Sequence, residues 1–351
     1  MTDEQKAATS GLDLCLAPMQ GITDCAFRET FCRHFGGLSR AVSPFLATVK
    51  GTRVKPALLR DVLPARNTAL PLVPQVLGKD PADLAIMLVA LRDLGYRRAD
   101  LNSGCPWPMV ARKGRGAGLL SDADVLRKML AAGCTAMPGG FSIKVRLGLA
   151  TPDLLAERME ILNEFPLFEV TIHPRTARQM YDGCVNLAAF SDCLKRCRHP
   201  VVYNGDIRTP ADGAVLRAQF PSVRSWMLGR GVVADPWLAE RLRGDTQPRD
   251  LKRLRNFLDD MLAISCAEMH GEKQVLGRFK EWWGYLAPRL SRDDVWLRRI
   301  RFCQRVDEYR RVLDELFRRE TQWIEAQDGL VSQDKVKDPG QASWPGAPIT
   351  N

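Results

Sequence analysis

No Cys-x-x-Cys pair occurs in the chain although it carries ten cysteines, and no apolar run is long enough to span a membrane. Scattered thiols of this kind speak against a zinc ribbon or a disulfide framework, so we expect no metal and a reducing, cytoplasmic setting. With neither a signal-peptide pattern nor a spanning segment, no membrane partner is expected. Acidic residues are also short, 41 against 51 Lys and Arg, which leaves a net charge of +10 and a pI near 9.2. With aromatics at only 7%, that imbalance favours an anionic partner, either nucleic acid or a phosphorylated ligand. A length of 351 residues exceeds the ~250 at which one core stops growing, so one large and one small domain are expected.

What is present is an alternation. Residues 1–12 are polar and aperiodic and read as an N-terminal extension. Thereafter short apolar stretches at 14–17, 40–42, 72–76, 98–102, 141–146, 169–173, 201–204 and 225–228 read as strands. Helical patterns separate most of them, at 24–35, 81–94, 122–132, 152–163, 187–197, 210–219 and 235–242. Eight such βα units within 13–244 predict a (β/α)8 TIM barrel of the α/β class. The second unit has the weakest helix, because 50–67 carries two prolines.

Beyond Gly244 the pattern turns to helices without strands, and 245–328 reads as a small all-helical domain. Its apolar positions, including Trp282 and Trp283, recur at helical spacing and belong in a bundle core. Arginines at 289, 292, 298, 299, 301, 305, 310, 311, 318 and 319 outnumber nearby acids, which favours a phosphate-tracking surface. Residues 329–351 have little periodicity and are expected to be disordered.

In a barrel the chemistry sits where strands end, and the polar residues follow that rule. Pro18, Met19 and Gln20 follow the first strand, and Gln75 ends the third. Asn102 and Cys105 end the fourth, Lys144 and Arg146 lie on the fifth, and His173 and Arg175 end the sixth. Asn204, Gly205 and Asp206 end the seventh; Gly229, Arg230 and Gly231 end the eighth, ahead of a helix that Asp235 is expected to cap. Glycine-rich ends after strands seven and eight suit a phosphate. The stretch 99–120 presents one thiol, Cys105, on a turn fixed by Gly104 and Pro106, followed by Arg112, Lys113 and Arg115 among glycines. A free thiol with a pKa near ~8.5 is mostly protonated at neutral pH and suits a general acid.

Seven motifs in order, LAPMQGITDCAFR (16–28), QVLG (75–78), DLNSGCP (100–106), IKVRLG (143–148), HPRTARQMY (173–181), NGDI (204–207) and GRG (229–231) with PWL from 236, make this chain resemble the tRNA-dihydrouridine synthases. These are flavin enzymes that reduce specific uridines in RNA. The resemblance implies an FMN across the barrel mouth, its ring near Pro18, Met19, Gln75 and Lys144. It places the phosphate near His173, Asn204, Gly205, Asp206, Gly229 and Arg230. It also implies NADPH as reductant and Cys105 as the acid that protonates uracil C5 while hydride from the reduced flavin reaches C6. Asn102 is then expected at the uracil edge, with Lys113, Arg146, Arg175, Arg278, Lys280, Arg298 and Arg301 as RNA contacts. The order Arg278, Lys280, Trp282, Tyr285, Leu286 is similar to the bacterial C-type branch, which modifies uridine 16.

Several positions depart from the family pattern. Ser43-Pro44-Phe45 stands where many members carry an acidic residue, Trp107-Pro108 where small or basic residues are usual, and Pro174 where a small one is. Residues 184–187 lack the tryptophan that normally follows the tyrosine motif. None removes Cys105, Lys144 or His173, so these departures bear on RNA docking rather than on the chemistry. The expected substrate is tRNA and the expected state a monomer. A synthase acting on ribosomal RNA, an FMN barrel acting on a small molecule, and a non-catalytic RNA-binding barrel are the alternatives.

Overall fold

The computed structural model describes residues 11–51, 53–291, 294–318 and 323–326; the tail expected at 329–351 and most of the extension expected at 1–12 lie outside them. Eight crossings of a parallel sheet are built from ten segments, because proline interrupts two of the crossings. The second consists of β2 (Arg40–Val42) and β3 (Leu46–Ala47) on either side of Pro44, and the third of β4 (Leu72–Val73) and β5 (Gln75–Leu77) on either side of Pro74. Proline has no N–H to give to a ladder. Ser43 repairs the break: its N–H reaches the Val73 carbonyl at 3.1 Å and its Oγ accepts the Gln75 N–H at 3.0 Å.

The remaining crossings are β1 (Asp13–Leu16), β6 (Ala99–Ser103), β7 (Phe141–Gly148), β8 (Val170–Thr176), β9 (Val201–Asn204) and β10 (Ser225–Leu228). Since β1 pairs with both β10 and β2, and the broken crossings pair with each other, the sheet closes on itself. The expected (β/α)8 barrel is what forms. Strands β7 and β8 run two or three residues past the apolar stretches read from sequence, through Leu147 and Gly148 and through Pro174, Arg175 and Thr176, with Arg175 buried.

Helices α1 (Cys25–His34), α2 (Pro81–Asp93), α3 (Pro108–Ala111), α4 (Ala123–Ala136), α5 (Leu154–Asn163), α6 (Leu187–Arg196) and α7 (Pro210–Gln219) lie between the strands. Their starts are capped as the sequence suggests: Asp24, Asp80 and Asp122 accept first-turn N–H groups, and Thr209 forms a capping box with Asp212. Residues 56–66 form 3₁₀ turns. The helix expected at 235–242 is instead two short pieces, α8 (Arg230–Ala234), which starts directly after Gly229, and α9 (Leu238–Leu242). Asp235 therefore ends α8 as its C-cap instead of starting a helix; its carboxylate accepts the Trp237 N–H between the two pieces and pairs with Arg249 at 2.6 Å.

Period-two alternation sorts the strand residues. Leu101, Ile143, Val145 and Ile172 point outward into the main apolar core beneath the helices. The inward positions divide in two. Cys15, Ala17, Val42, Val73, Val202 and Met227 form a separate apolar cluster on one side, whereas Gln75, Asp100, Asn102, Ser142, Arg146 and His173 are buried polar residues on β5 to β8. Below them Arg40 is held by Glu169 at 2.7 and 3.0 Å and by Asp13 at 2.9 Å, closing the floor with an ion cluster.

The C-terminal helices α10 (Leu251–Glu268), α11 (Glu272–Leu286), α12 (Val295–Phe302) and α13 (Val306–Arg318) share the barrel's core rather than forming their own. Phe27 meets Phe257 at 6.0 Å and Trp282 at 5.5 Å, both edge-on, and Trp282 and Trp283 are buried. One apolar seam thus fixes α10 and α11 on α1.

Candidate active site

Burial and register bring the strand-end residues together. Asn102 lies beside Lys144 in the ladder, Arg146 beside His173, and Gln75 beside Asp100. These inward side chains form a chain of amides with a fixed direction. Asp100 is buried at the start of it and accepts from Gln75 Nε2 at 2.7 Å and from Ser142 Oγ at 2.9 Å. Gln75 Oε1 accepts from Asn102 Nδ2 at 2.7 Å. Asn102 Oδ1 in turn accepts the N–H groups of Gly104 and Cys105 at 3.1 and 2.9 Å. An ionised carboxylate only accepts and a backbone N–H only donates, so the two ends dictate the orientation of both amides. Burial pushes Asp100 up to about 6, against the hydrogen bonds from Gln75 and Ser142 that hold it down. It is an anion at neutral pH.

Cys105 is held from three further directions. Arg146, buried in the barrel, donates to the Gly104 carbonyl at 3.0 Å and to the Thr176 carbonyl at 3.0 Å. The Cys105 carbonyl accepts the Ala117 N–H at 3.0 Å. Gly116 has φ +54°, and a Cβ there would stand 2.8 Å from the Cys105 Cβ, so only glycine fits behind the thiol. Burial raises the Cys105 pKa, while the Trp107 N–H, Arg146 and Lys144 oppose the rise. The group is a neutral thiol at physiological pH and has a proton to give.

Lys144 lies on the same strand as Arg146, in register with Asn102. Burial, then Arg146, lowers it to about 8, and among the described residues no hydrogen bond or ion pair engages its ammonium. A second group surrounds Asp206, whose φ is +43°. Arg175, Arg230 and Arg208 all converge on its one carboxylate, Arg230 at 3.1 Å and Arg208 at 3.6 Å. Three guanidiniums thus gather around one carboxylate at the barrel mouth. Arg175 also lies 3.2 Å from His173 Nε2. Burial, with Arg146, Lys144, Arg175 and Arg230 around it, holds His173 well below its ordinary pKa. Arg175 can only donate, so Nε2 accepts and Nδ1 carries the proton.

Gly205, at φ +154°, lets the chain pass His173: a Cβ there would lie 2.9 Å from Val185 and 3.4 Å from the imidazole. Asn204 is tied to the Met227 carbonyl at 2.9 Å. A Cβ on Gly229 would meet Met19 Sδ at 3.6 Å, so Met19 and Gly229 share one edge of the mouth, with Pro18 beside them half-buried. The residues read from sequence for a cofactor therefore line one ring, from β1 round to β10.

Other expected roles change. Arg146 and Arg175 are only 2% and 1% exposed, so they clamp loops rather than reach RNA; Arg175 holds the Gly183 carbonyl at 2.6 Å. Arg278 is likewise turned inward, paired with Asp24 and stacked over Trp282. Lys280 is half-buried, whereas Lys113, Arg298 and Arg301 are exposed. Arg292 and Arg319 lie outside the described residues. Sequence reading passed over Asp100, Ser142, Gly116, Arg208 and Tyr181, on whose ring Arg146 and Arg230 stack at 5.1 and 5.0 Å. The available signal was the i, i+2 spacing of Asp100 and Asn102 just before Cys105.

Comparison with known proteins agrees with this geometry. Residues 15–328 match the family model described as dihydrouridine synthase (Dus). The chain is 32% identical over 296 residues to the tRNA-dihydrouridine(16) synthase of Cupriavidus necator, covering 78% of this chain and 87% of that one. It is 26% identical over 329 residues to the tRNA-dihydrouridine(16) synthase of Neisseria meningitidis serogroup B, covering 90% and 97%. Among solved structures, the old yellow enzyme homologue of Zymomonas mobilis superimposes with a TM-score of 0.50 at 10% identity, over 68% of this chain and 91% of that one. Morphinone reductase does so at 0.50 and 10%, over 69% and 88%; both bear on the fold alone. Fold and site define a (β/α)8-barrel oxidoreductase. The chain belongs to the dihydrouridine synthase family.

The amide chain makes a prediction that needs no turnover. Asp100→Asn preserves it, because the new amide accepts from Gln75 and donates to Ser142, whose hydroxyl already reaches the Ala99 carbonyl at 3.2 Å. Asp100→Leu releases Gln75 and Asn102, and hydrogen exchange at the Gly104 and Cys105 amides should then quicken about tenfold or more. Equal protection in wild type and Asp100→Leu would show that the loop is held without the chain.

Proposed function

We propose that this protein reduces the C5=C6 bond of a uridine in tRNA to 5,6-dihydrouridine with FMN, using NADPH to reduce the flavin. The observation that carries the reading is the backbone-clamped Cys105 thiol at the same barrel mouth as Lys144, whose ammonium has no hydrogen-bond or ion-pair partner among the described residues. Position 16 is the proposed target, because the curated relatives bear that activity in their names. A cytoplasmic monomer suits a tRNA substrate, and among the described residues no helix is long and apolar enough to cross a membrane.

The residues fit a flavin nucleotide on two counts. Lys144 offers a half-buried cation with no hydrogen-bond or ion-pair partner among the described residues, and Arg175, Arg208 and Arg230 gather guanidinium groups around Asp206 at the same mouth. In this reading Lys144, Gln75, Met19 and Pro18 hold the ring, and His173, Asn204, Gly205, Asp206, Gly229 and Arg230 hold the phosphate. When bound, FMN supplies the hydride. The chain supplies the rest. Cys105 donates a proton from Sγ to uracil C5 on the opposite face of the base. Asn102 has one amide N–H left beyond its bond to Gln75, and that N–H is available to a uracil carbonyl. Arg146 and Gly116 keep the thiol from retreating. Exposed Lys113, Arg298 and Arg301 contact phosphates, and the helices from 245 to about 328 serve as the RNA-binding part.

Two expectations test the reading. Lys144 keeps its charge below about 8 and loses it above, so the FMN affinity of the flavin-free protein should weaken as pH rises through that value. Lys144→Met should bind more weakly and show no such step; a step of equal size in the variant assigns it to another group. Cys105→Ala should bind flavin and RNA and accept hydride from NADPH at the wild-type rate. Single-turnover oxidation of the pre-reduced variant by unmodified tRNA should nevertheless be slower by roughly 10² to 10⁴, the worth of a positioned acid. An unimpaired variant would make the thiol structural.

A further inference from the structure

Trp107 stands two residues beyond Cys105, at a position where the sequence departs from its family and where the account above gives it no task. It is 42% exposed. Among the described tryptophans, Trp226, Trp237, Trp282, Trp283 and Trp296 are buried and Trp323 is half-buried. No aromatic ring or cation among the described residues covers the Trp107 indole. Met109, on the same short helix, is 69% exposed.

The backbone that carries the indole is held in place. Pro106 and Pro108 flank Trp107, and its carbonyl accepts the Val110 and Ala111 N–H groups, each at 2.8 Å. Its backbone N–H faces the Cys105 sulfur. The residue is thus anchored at the rim beside the thiol rather than on a loose loop, and the exposed cations Arg112 and Lys113 follow within six residues. An aromatic face beside cations is the composition that holds single-stranded nucleic acid.

Geometry supplies the need for such a face. Cys105 and Lys144 lie within the barrel mouth, so a uracil can reach them only after leaving its own stack, which uncovers one face of the neighbouring base. We propose that Trp107 stacks on the nucleobase adjacent to the target uridine, replacing the contact that base loses when the uridine turns inward. Met109 widens the apolar face, and Lys113 engages the phosphate alongside. Trp107 is a substrate-positioning residue and takes no part in proton or hydride transfer. The inference rests on the RNA substrate proposed above and names the second base it must hold.

The test combines kinetics with a binding cycle on the flavin-loaded enzyme. Trp107→Ala should raise KM for tRNA roughly tenfold, the order of one base–aromatic stack, with kcat and reduction of the flavin by NADPH unchanged. Trp107→Phe, which keeps a ring, should recover most of that loss. In equilibrium binding, an RNA stem-loop bearing one loop uridine is compared with the same RNA made abasic on either side of it. Wild type should lose about tenfold on one side only, and Trp107→Ala should be indifferent to the change. An unchanged KM, a fall in kcat at constant KM, or equal sensitivity of both proteins to the abasic RNA would overturn the proposal. A wild-type enzyme that binds the stem-loop without forming dihydrouridine would instead count against the proposed function and leave the binding cycle readable.

Discussion

The polarity of a buried hydrogen-bond chain governs the reactive end of this barrel. Asp100 can only accept and the Gly104 and Cys105 amides can only donate, so Gln75 and Asn102 between them have one permitted orientation. The thiol is thereby placed by the barrel wall and not by its own loop. Gly116 closes the space behind it and Arg146 ties down the preceding carbonyl. A flexible loop would leave an acid free to drift by an ångström, a displacement that costs rate steeply.

The same half of the barrel gathers cationic side chains. Apolar residues fill the interior on the side of β1, β9 and β10, and the acids of the floor are consumed by Arg40 and Arg98. Asp206 gathers Arg175, Arg208 and Arg230, and Lys144 has no hydrogen-bond or ion-pair partner among the described residues. An anionic ligand at this mouth would meet several cationic side chains. The C-terminal helices are joined to this body through Phe27, Phe257 and Trp282.

Much of this was legible in the chain. The alternation of short apolar and amphipathic stretches gave the barrel, and polar residues at strand ends gave the ring of site positions, because period and fold rule act locally. Gly116 was missed for the opposite reason: its meaning depends on a contact with Cys105 eleven residues earlier. Arg146, Arg175 and Arg278 were expected on RNA and proved buried, since a residue's charge does not reveal whether a carbonyl or carboxylate awaits it in three dimensions. Asp235 appeared to cap a helix, but Arg249 claims its carboxylate. The stretch 72–76 was read as one strand through Pro74 and the second strand was ended at 42, because the breaks at Pro44 and Pro74 are bridged by Ser43 only in three dimensions.

The central claim is that this site forms dihydrouridine in tRNA, and mass-spectrometric mapping of tRNA from cells with and without the gene tests it most directly. The account predicts that dihydrouridine disappears at position 16 when the gene is deleted and returns when wild-type protein, but not Cys105→Ala, is supplied. An unchanged dihydrouridine map in the deletion strain would contradict it.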